Sequence, residues 1–303
     1  MAKPTESAAH FPRVAQADVA VVVVTYNAQP WLERCLASVA GYRTVLVDHG
    51  STDGTLEVAR RFENVRVVEQ ANAGVGAGWN RGMAESTEPW VFLLNADAWV
   101  LGDGLARLVE FANEQPRAAL VGPRLLNTDG TLQRSARGFP TPWRLATEFF
   151  FLRKLAPRSR LFNAFYAANW DHAIEREAEW LSGAAMLVRR GAVEQVGGLD
   201  ESFFMYNEES DWQYRMRDAG WQVVFFPGAE VVHVGGDATK REWGKMFTTQ
   251  VRSHVRFVRK HQGAGAAALT RALLFAALAF RGLLFRGARG RSYRQAARGL
   301  LRP

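Results

Sequence analysis

The chain has 303 residues, 48% hydrophobic and 22% charged, with a formal net charge of +8 and one cysteine, Cys35. That length and apolar content bury the core of one large domain with appendages and exclude a disordered chain, while a lone cysteine excludes an internal disulfide and fits a reducing compartment. The charge is uneven: thirteen Lys or Arg and no Asp or Glu follow Glu242, so the part before it carries 25 basic against 30 acidic residues.

Residues 1–18 hold no apolar run of the signal-peptide kind and read as a loose leader. The β-branched run 19–24 stops at Thr25, Tyr26 and Asn27, and Pro30 then opens a helical pattern through Leu32, Leu36 and Val39. The unit repeats as strand 44–47, the polar loop Asp48 to Gly54 with Asp53 in it, and an amphipathic segment 56–62. A third strand, 65–68, leads through Asn72 and the spacing Gly74-x-Gly76-x-Gly78 into a helix over 79–85 that carries Asn80. A fourth apolar run, 90–100, is interrupted by Asn95 and Asp97. Short strands alternating with helices predict an α/β fold with right-handed crossovers and a mostly parallel sheet flanked by helices.

In such sheets ligands sit beyond the carboxyl ends of the strands, which places Thr25 to Asn27, Asp48 with Asp53, and Asn95 with Asp97 on one edge. For Asp97 a ligand or metal role stands beside that of a plain turn or helix cap. The glycine cluster is neither a Walker loop nor a dinucleotide fingerprint, and reads as a backbone cradle or as a flexible turn.

Residues 138–180 are irregular and aromatic, among them Phe139, Trp143, Phe149, Tyr166 and Trp170, as a lid over a second substrate or a small subdomain core would be. A strand over 180–188 and a short helix over 192–196 follow. Glu208, Glu209 and Asp211 then head a helix over 210–219, where carboxylates also serve as N-terminal caps. Asp211 and Arg215 have the spacing of an ion pair, and Trp212, Arg215 and Arg217 are candidate phosphate partners. His233 ends the apolar segment 228–233. The tail reads as a basic helix over 245–260, an Ala/Leu/Phe-rich stretch over 264–285 interrupted by Arg271 and Arg281, and a basic run over 286–302. It suits an anionic membrane surface better than a span, which needs about 20 uninterrupted apolar residues; the alternative is a helix packed on the domain.

The residues 22–27, then Val47-Asp48-His49-Gly50-Ser51-Thr52-Asp53-Gly54, then Leu93-Leu94-Asn95-Ala96-Asp97 together resemble family 2 glycosyltransferases of the GT-A fold. The segments 121–126, 129–133, 135–137, 197–206 and 231–233 are similar to the rhamnosyltransferase-like subgroup, and the likeness covers roughly residues 19–240. The resemblance implies an inverting, metal-dependent hexosyltransferase that moves a sugar, rhamnose by subgroup, from a dTDP- or UDP-sugar to a glycan or lipid-linked acceptor in cell-envelope polysaccharide synthesis.

By the same resemblance Thr25, Tyr26, Asn27, Asp48, Asp53, Asn72, Gly78, Asn80 and Asn95 bind the nucleotide sugar. Asp97 and His233 hold Mg²⁺ or Mn²⁺, with Asn95 replacing the first aspartate of the family's Asp-x-Asp. Glu209 is the catalytic base and Glu208 its competitor. The implied division is a nucleotide-sugar half at 19–125, an acceptor half at 126–240 and a helical tail at 241–303, in a cytoplasmic protein peripheral on the inner membrane face. Nucleic acid is not an expected partner, and the oligomeric state is left open. Two other classes stay in view: a nucleotidyltransferase with a similar sheet, and a non-catalytic sugar-nucleotide or polyanion-binding protein.

Overall fold

Parallel strands form the first half of the main sheet. In the computed structural model, which describes residues 17–157, 159, 161–163, 165, 170–235 and 243–301, they are β1 (Val19–Thr25), β2 (Thr44–Asp48), β3 (Val65–Glu69) and β4 (Trp90–Asn95). They pair in parallel in the order β3-β2-β1-β4. The register sets Thr25 opposite Asp48 and Val24 opposite Asn95, so the three polar endings share one edge, as the alternation predicted.

Both faces of β1 are covered, which is why it lacks polar alternation. Val19, Val21 and Val23 pack with Leu32, Cys35 and Leu36 of α1 (Gln29–Ala37), while Val22 packs with Trp79 and Met83 of α3 (Val75–Ala84). The short α2 (Thr55–Ala59) follows β2.

The run 90–100 is not one strand. After β4 the chain turns at Ala96 and Asp97, and β5 (Ala98–Val100) pairs antiparallel with β12 (Gln222–His233) at the far edge of the sheet. Between these edges lie α4 (Gly104–Asn113), β6 (Ala118–Leu126) and β11 (Ala185–Arg189), with β11 antiparallel to both β4 and β6 and β12 parallel to β6. The ten-stranded sheet, completed by β7 (Leu132–Gln133) and β9 (Arg176–Glu177), is therefore mixed, with its first half parallel throughout. The expected strand over 180–188 divides because Leu181 of β10 (Trp180–Leu181) pairs with Ala136 of β8 (Ala136–Arg137) in a separate small sheet.

Of the remaining helices, α5 (Pro142–Phe149) carries part of the aromatic segment, α6 (Arg190–Val196) follows β11, and α7 (Glu208–Asp218) begins two residues earlier than the sequence pattern. The tail forms α8 (Trp243–Leu284), broken by non-helical angles at Gly263 (φ 89°, ψ 174°), and α9 (Gly287–Leu300). Residues 1–16 of the leader, Tyr166 and the junction at 241 lie outside the described residues.

By length and composition α8 contains a stretch apolar enough to cross a membrane, and Arg271 and Arg281 both fall in its second part. Arg281 is nevertheless buried: Nε donates to Phe149 O (2.7 Å), one terminal nitrogen donates to Glu148 O (2.9 Å), and the guanidinium lies 3.9 Å from the Phe151 ring centroid. Leu274, Ala277 and Leu278 of α8 and Tyr293, Ala296 and Leu300 of α9 share one apolar cluster with Leu145, Phe149 and Phe203. Burial at this scale, about 1.5–3 kcal/mol for each large side chain, docks the tail on the domain.

Helix α3 sits close on the sheet because it carries glycine where a side chain would collide. A Cβ on Gly82 would lie 2.2 Å from Val22 Cγ1, whereas one on Gly265 meets nothing within 4 Å. Gly82→Ala is expected to destabilise the protein by about 1–3 kcal/mol through overpacking. Gly265→Ala, in an exposed helical turn, is expected to stabilise it by about 0.5–1 kcal/mol. Urea denaturation of both variants checks the opposite signs.

Candidate active site

The first two strand ends are tied into one loop by Asp48. Its carboxylate is fully buried and accepts from Thr25 Oγ1 (2.8 Å), Ser51 Oγ (2.5 Å), Gly50 N (3.0 Å) and Ser51 N (2.8 Å). Asp53 accepts from the Thr55 amide (3.0 Å), the Thr55 hydroxyl and the Gln29 amide (3.3 Å). Burial works to raise its carboxyl, but these bonds outweigh it and hold it below the usual range. Asn27, at φ 54°, accepts from Thr52 N (2.8 Å) across the same loop. Tyr26 stays 54% exposed at the sheet edge, an open aromatic face beside an organised polar loop.

Three other positions singled out in the sequence serve different neighbours. Asn72 Oδ1 accepts from Gly74 N (3.2 Å) before α3. Gly78 is buried against Val24 and His49. Asn80 spends its amide on Leu199 O (2.9 Å), Leu199 N (2.8 Å) and Glu201 Oε1 (2.8 Å), pinning α3 to the segment before α7.

The turn after β4 brings Asn95 and Asp97 to His233. Asp97 Oδ1 lies 3.3 Å from His233 Nε2, Asp97 Oδ2 accepts from Gly235 N (3.1 Å), and Asn95 Nδ2 is 3.4 Å from His233 Nε2. Burial works to raise the Asp97 carboxyl; the hydrogen bond and charge of His233 and the Gly235 amide prevail and hold it low, so it is ionised.

Gln133 orients the ring. Its Nε2 donates to His233 O (3.1 Å) and Asn127 Oδ1 (3.0 Å), so its Oε1 is the acceptor facing His233 Nδ1 at 2.7 Å. Nδ1 therefore carries a proton, and Nε2 is the ring nitrogen that faces Asp97 and Asn95. Among the described residues no group of three or more His, Cys, Asp or Glu is arranged to hold a metal ion. Asp97, His233 and the Asn95 amide offer a partial set that a diphosphate would have to complete.

Glu208 and Glu209 open α7. Glu208 is 4% exposed, packed beside Gly76. Glu209 lines a cavity of about 220 Å³ between α7, β8 and the tail helices. Each has a buried Oε2 without a hydrogen-bond partner. Burial, then the repulsion of Glu209, pushes the Glu208 carboxyl well above the usual range; burial also raises Glu209, with Arg137 among the groups opposing it. A buried carboxylate of raised basicity, with one oxygen unpartnered in a cavity wall, is chemically a proton acceptor.

Asp211 meets Arg215 Nε (3.0 Å) as its spacing predicted, and Lys260 (2.7 Å) and His261 (2.8 Å) as well. Arg215 also donates to Val196 O and Gly198 O, Arg217 bonds Glu177 and Ala178 O, and Trp212 is fully buried with Nε1 on Gly197 O. These three hold the fold around α7 rather than waiting for phosphate.

The two halves also meet at a corner between these groups. Asn95 N donates to Ala184 O (3.0 Å), and a Cβ on neighbouring Gly183 would lie 2.7 Å from the Trp79 ring and 3.7 Å from Glu209 Cβ. Gln133 and Arg137 were not singled out as site residues, although both lie in segments that carry the resemblance. No pattern in the sequence announces that Ser253 Oγ donates to Met205 O (2.9 Å) or that His254 Nδ1 meets Asn207 Nδ2 (3.1 Å), the contacts by which α8 braces the start of α7.

A glycosyl transferase family 2 model matches residues 20–183. The chain is 38% identical over 245 residues, 73% of its length and 78% of the relative's, to an N-acetylglucosaminyl-diphospho-decaprenol L-rhamnosyltransferase of Mycobacterium tuberculosis. Among solved structures, the mannosyltransferase PcManGT of Pyrobaculum calidifontis in complex with GDP-Man and Mn²⁺ superposes with a TM-score of 0.54 at 18% identity, over 94% of this chain and 85% of that one. GalNAc-T7 with UDP, GalNAc and Mn²⁺ gives 0.54 at 18% identity, over 71% of this chain and 43% of that longer one. Those two likenesses establish the GT-A fold. With the strand-end loop, the Asn95/Asp97 turn and the match over more than half its length, the chain belongs to glycosyltransferase family 2 and is a rhamnosyltransferase-like glycosyltransferase.

Proposed function

We propose that the protein is an inverting, metal-dependent transferase that moves rhamnose from dTDP-rhamnose to a lipid-linked glycan in cell-envelope polysaccharide synthesis, with a UDP-sugar as the other donor class. The observation that carries this reading is the juxtaposition, across the corner at Gly183, of an ionised Asp97 beside His233 with Glu209, whose carboxyl burial raises and whose Oε2 has no partner. The relative's printed acceptor, an N-acetylglucosaminyl-diphospho-decaprenol, supports the acceptor class.

The loop built on Thr25, Asp48 and Ser51, with Tyr26 open above it, receives the base and ribose. Asn95, Asp97 and His233 would hold Mg²⁺ or Mn²⁺. That ion supplies charge neutralisation for the donor diphosphate. Glu209 takes the proton of the acceptor hydroxyl, the oxygen forms its bond to the anomeric carbon on the face opposite the diphosphate, and the sugar–phosphate bond breaks to release nucleoside diphosphate. Raising the Glu209 carboxyl makes it the stronger base.

The exposed face of the tail carries Leu269, Phe280, Leu283 and Leu284 together with Arg271, Arg286, Arg289 and Arg291. Apolar residues flanked by cations fit an anionic membrane surface, which keeps the enzyme peripheral on the cytoplasmic face beside a lipid-linked acceptor.

Three outcomes test the reading. Glu209→Gln is expected to lower turnover by about 10²-fold or more with donor affinity unchanged, the scale of a positioned base. The rate rises with pH as Glu209 loses its proton, so the acidic limb lies above the ordinary glutamate value of 4.5. Glu208→Gln replaces a carboxyl that burial and the Glu209 charge keep protonated, and should retain turnover and leave that limb in place; a dead Glu208→Gln beside an active Glu209→Gln reverses the assignment. Asp97→Ala is expected to abolish Mn²⁺-dependent donor binding in calorimetry while the protein stays folded, and undiminished binding refutes the metal site. Full-length protein should sediment with anionic vesicles less as salt rises, and Phe280→Asp with Leu283→Asp should release it; truncation at Gly263 is the poorer test because it strips the shared apolar cluster.

A further inference from the structure

The cavity beside Glu209 is walled by residues from both sides of the family match. Arg137 and Trp180 enter from the small two-stranded sheet, Glu209 from the start of α7, and Trp243, Gln250 and His254 from the first half of α8. The last three lie beyond residues 20–183. Its volume, about 220 Å³, falls below the roughly 300–1,000 Å³ of pockets for drug-sized ligands. It suits one sugar ring, not an oligosaccharide or a polyprenyl chain.

Its chemistry matches a pyranose, which presents a ring of hydroxyls and a C–H face. Glu209 Oε2 is buried without a partner, and the Gln250 amide brings a donor and an acceptor to the same lining. Trp243 stacks on Phe247 at 5.3 Å between centroids and is still 39% exposed, which leaves aromatic surface for a C–H face. His254 is committed to Asn207, and burial pushes its pKa down to about 3, so it enters the wall as a neutral hydrogen-bonding group. The far end is closed by Phe149 and Arg281, the latter already bonded to α5.

We infer that this cavity receives the acceptor sugar that bears the attacked hydroxyl, and that Gln250 and Trp243 of the C-terminal helix determine which sugar is accepted. The inference rests on the proposed transferase reading and adds a specificity wall to it. The pocket places the acceptor hydroxyl on the Glu209 side of Gly183, while the donor occupies the Asn95 and Asp97 side. The tail is thereby part of the acceptor site.

The test uses full-length enzyme, dTDP-rhamnose and N-acetylglucosaminyl-diphospho-decaprenol, reading acceptor KM and donor affinity. Gln250→Trp, which fills the cavity, is expected to raise acceptor KM about ten-fold or more and leave donor affinity unchanged, the split expected when only acceptor binding is removed. Trp243→Ala, at a half-exposed position, is expected to raise acceptor KM as well and keeps the test sound if Gln250→Trp does not fold. Wild-type transfer together with an unchanged acceptor KM in the folded variants overturns the pocket alone. A wild-type protein that releases no nucleoside diphosphate with this pair overturns the functional reading, and the pocket with it.

Discussion

The hydrogen bond from Asn95 N to Ala184 O, 3.0 Å long, ties the end of β4 to the turn before β11. On one side β4 ends there and delivers Asn95 and Asp97 to His233; on the other Gly183 makes room for Trp79 beside Glu209. The antiparallel insertion of β11 between β4 and β6 creates the corner, because it alone brings the turn at Ser182 to Ala184 against the parallel strand ends. A purely parallel sheet would set those ends facing solvent. The mixed topology sets them facing a second wall.

That wall holds two adjacent carboxylates with little solvent, at a cost in stability. Glu208 and Glu209 favour their protonated forms when folded, so the folded state binds more protons than the unfolded one. Their contribution to stability is fully present below the unfolded pKa and is lost as pH rises through the raised folded values. The expense is offset nearby. Asp211 is held ionised by His261, Lys260 and Arg215 against its own burial, and α8 fixes the start of α7 through Ser253 and His254. An acidic pair kept basic therefore sits directly before an acidic residue kept ionised, and the difference lies in their neighbours, not in their residue type.

What the sequence made legible follows from how local each signal is. The runs 19–24, 44–47, 65–68 and 90–94 read as strands by composition, and their alternation with helices placed the polar endings at Thr25, Asp48 and Asn95 on one edge without reference to any structure. The motif around Asn95 and Asp97 and the acidic start of α7 stood out for the same reason. What no local pattern encodes is the reversal at Ala96 after β4, which depends on β5 finding β12 over 120 residues later. Asn80 looked like a helix-start ligand, yet its partners are Leu199 and Glu201, distant in sequence. Gln133 was visible as part of a motif but not as the residue that fixes the His233 ring, since that role needs the register of β7 beside β6.

The tail shows the limit of reading charge from composition. Thirteen basic residues without an acidic one suggest a single electrostatic function, and Arg271 and Arg281 look equivalent as interruptions of an apolar run. In the fold they differ: Arg271 is exposed, whereas Arg281 lies beneath Phe151 with its donors on carbonyls of α5. Lys260 likewise reaches back to Asp200 (2.6 Å) and Asp211 (2.7 Å), inside the catalytic domain. The basic excess is thus divided between residues that fasten the tail and residues left outside. Only the second group is available to a membrane, and it lies on the same helices whose inner faces close the cavity beside Glu209. A lipid-linked acceptor lifted from that membrane would meet the anchor and the pocket on one structural unit, which gives a physical reason for docking the tail on the domain.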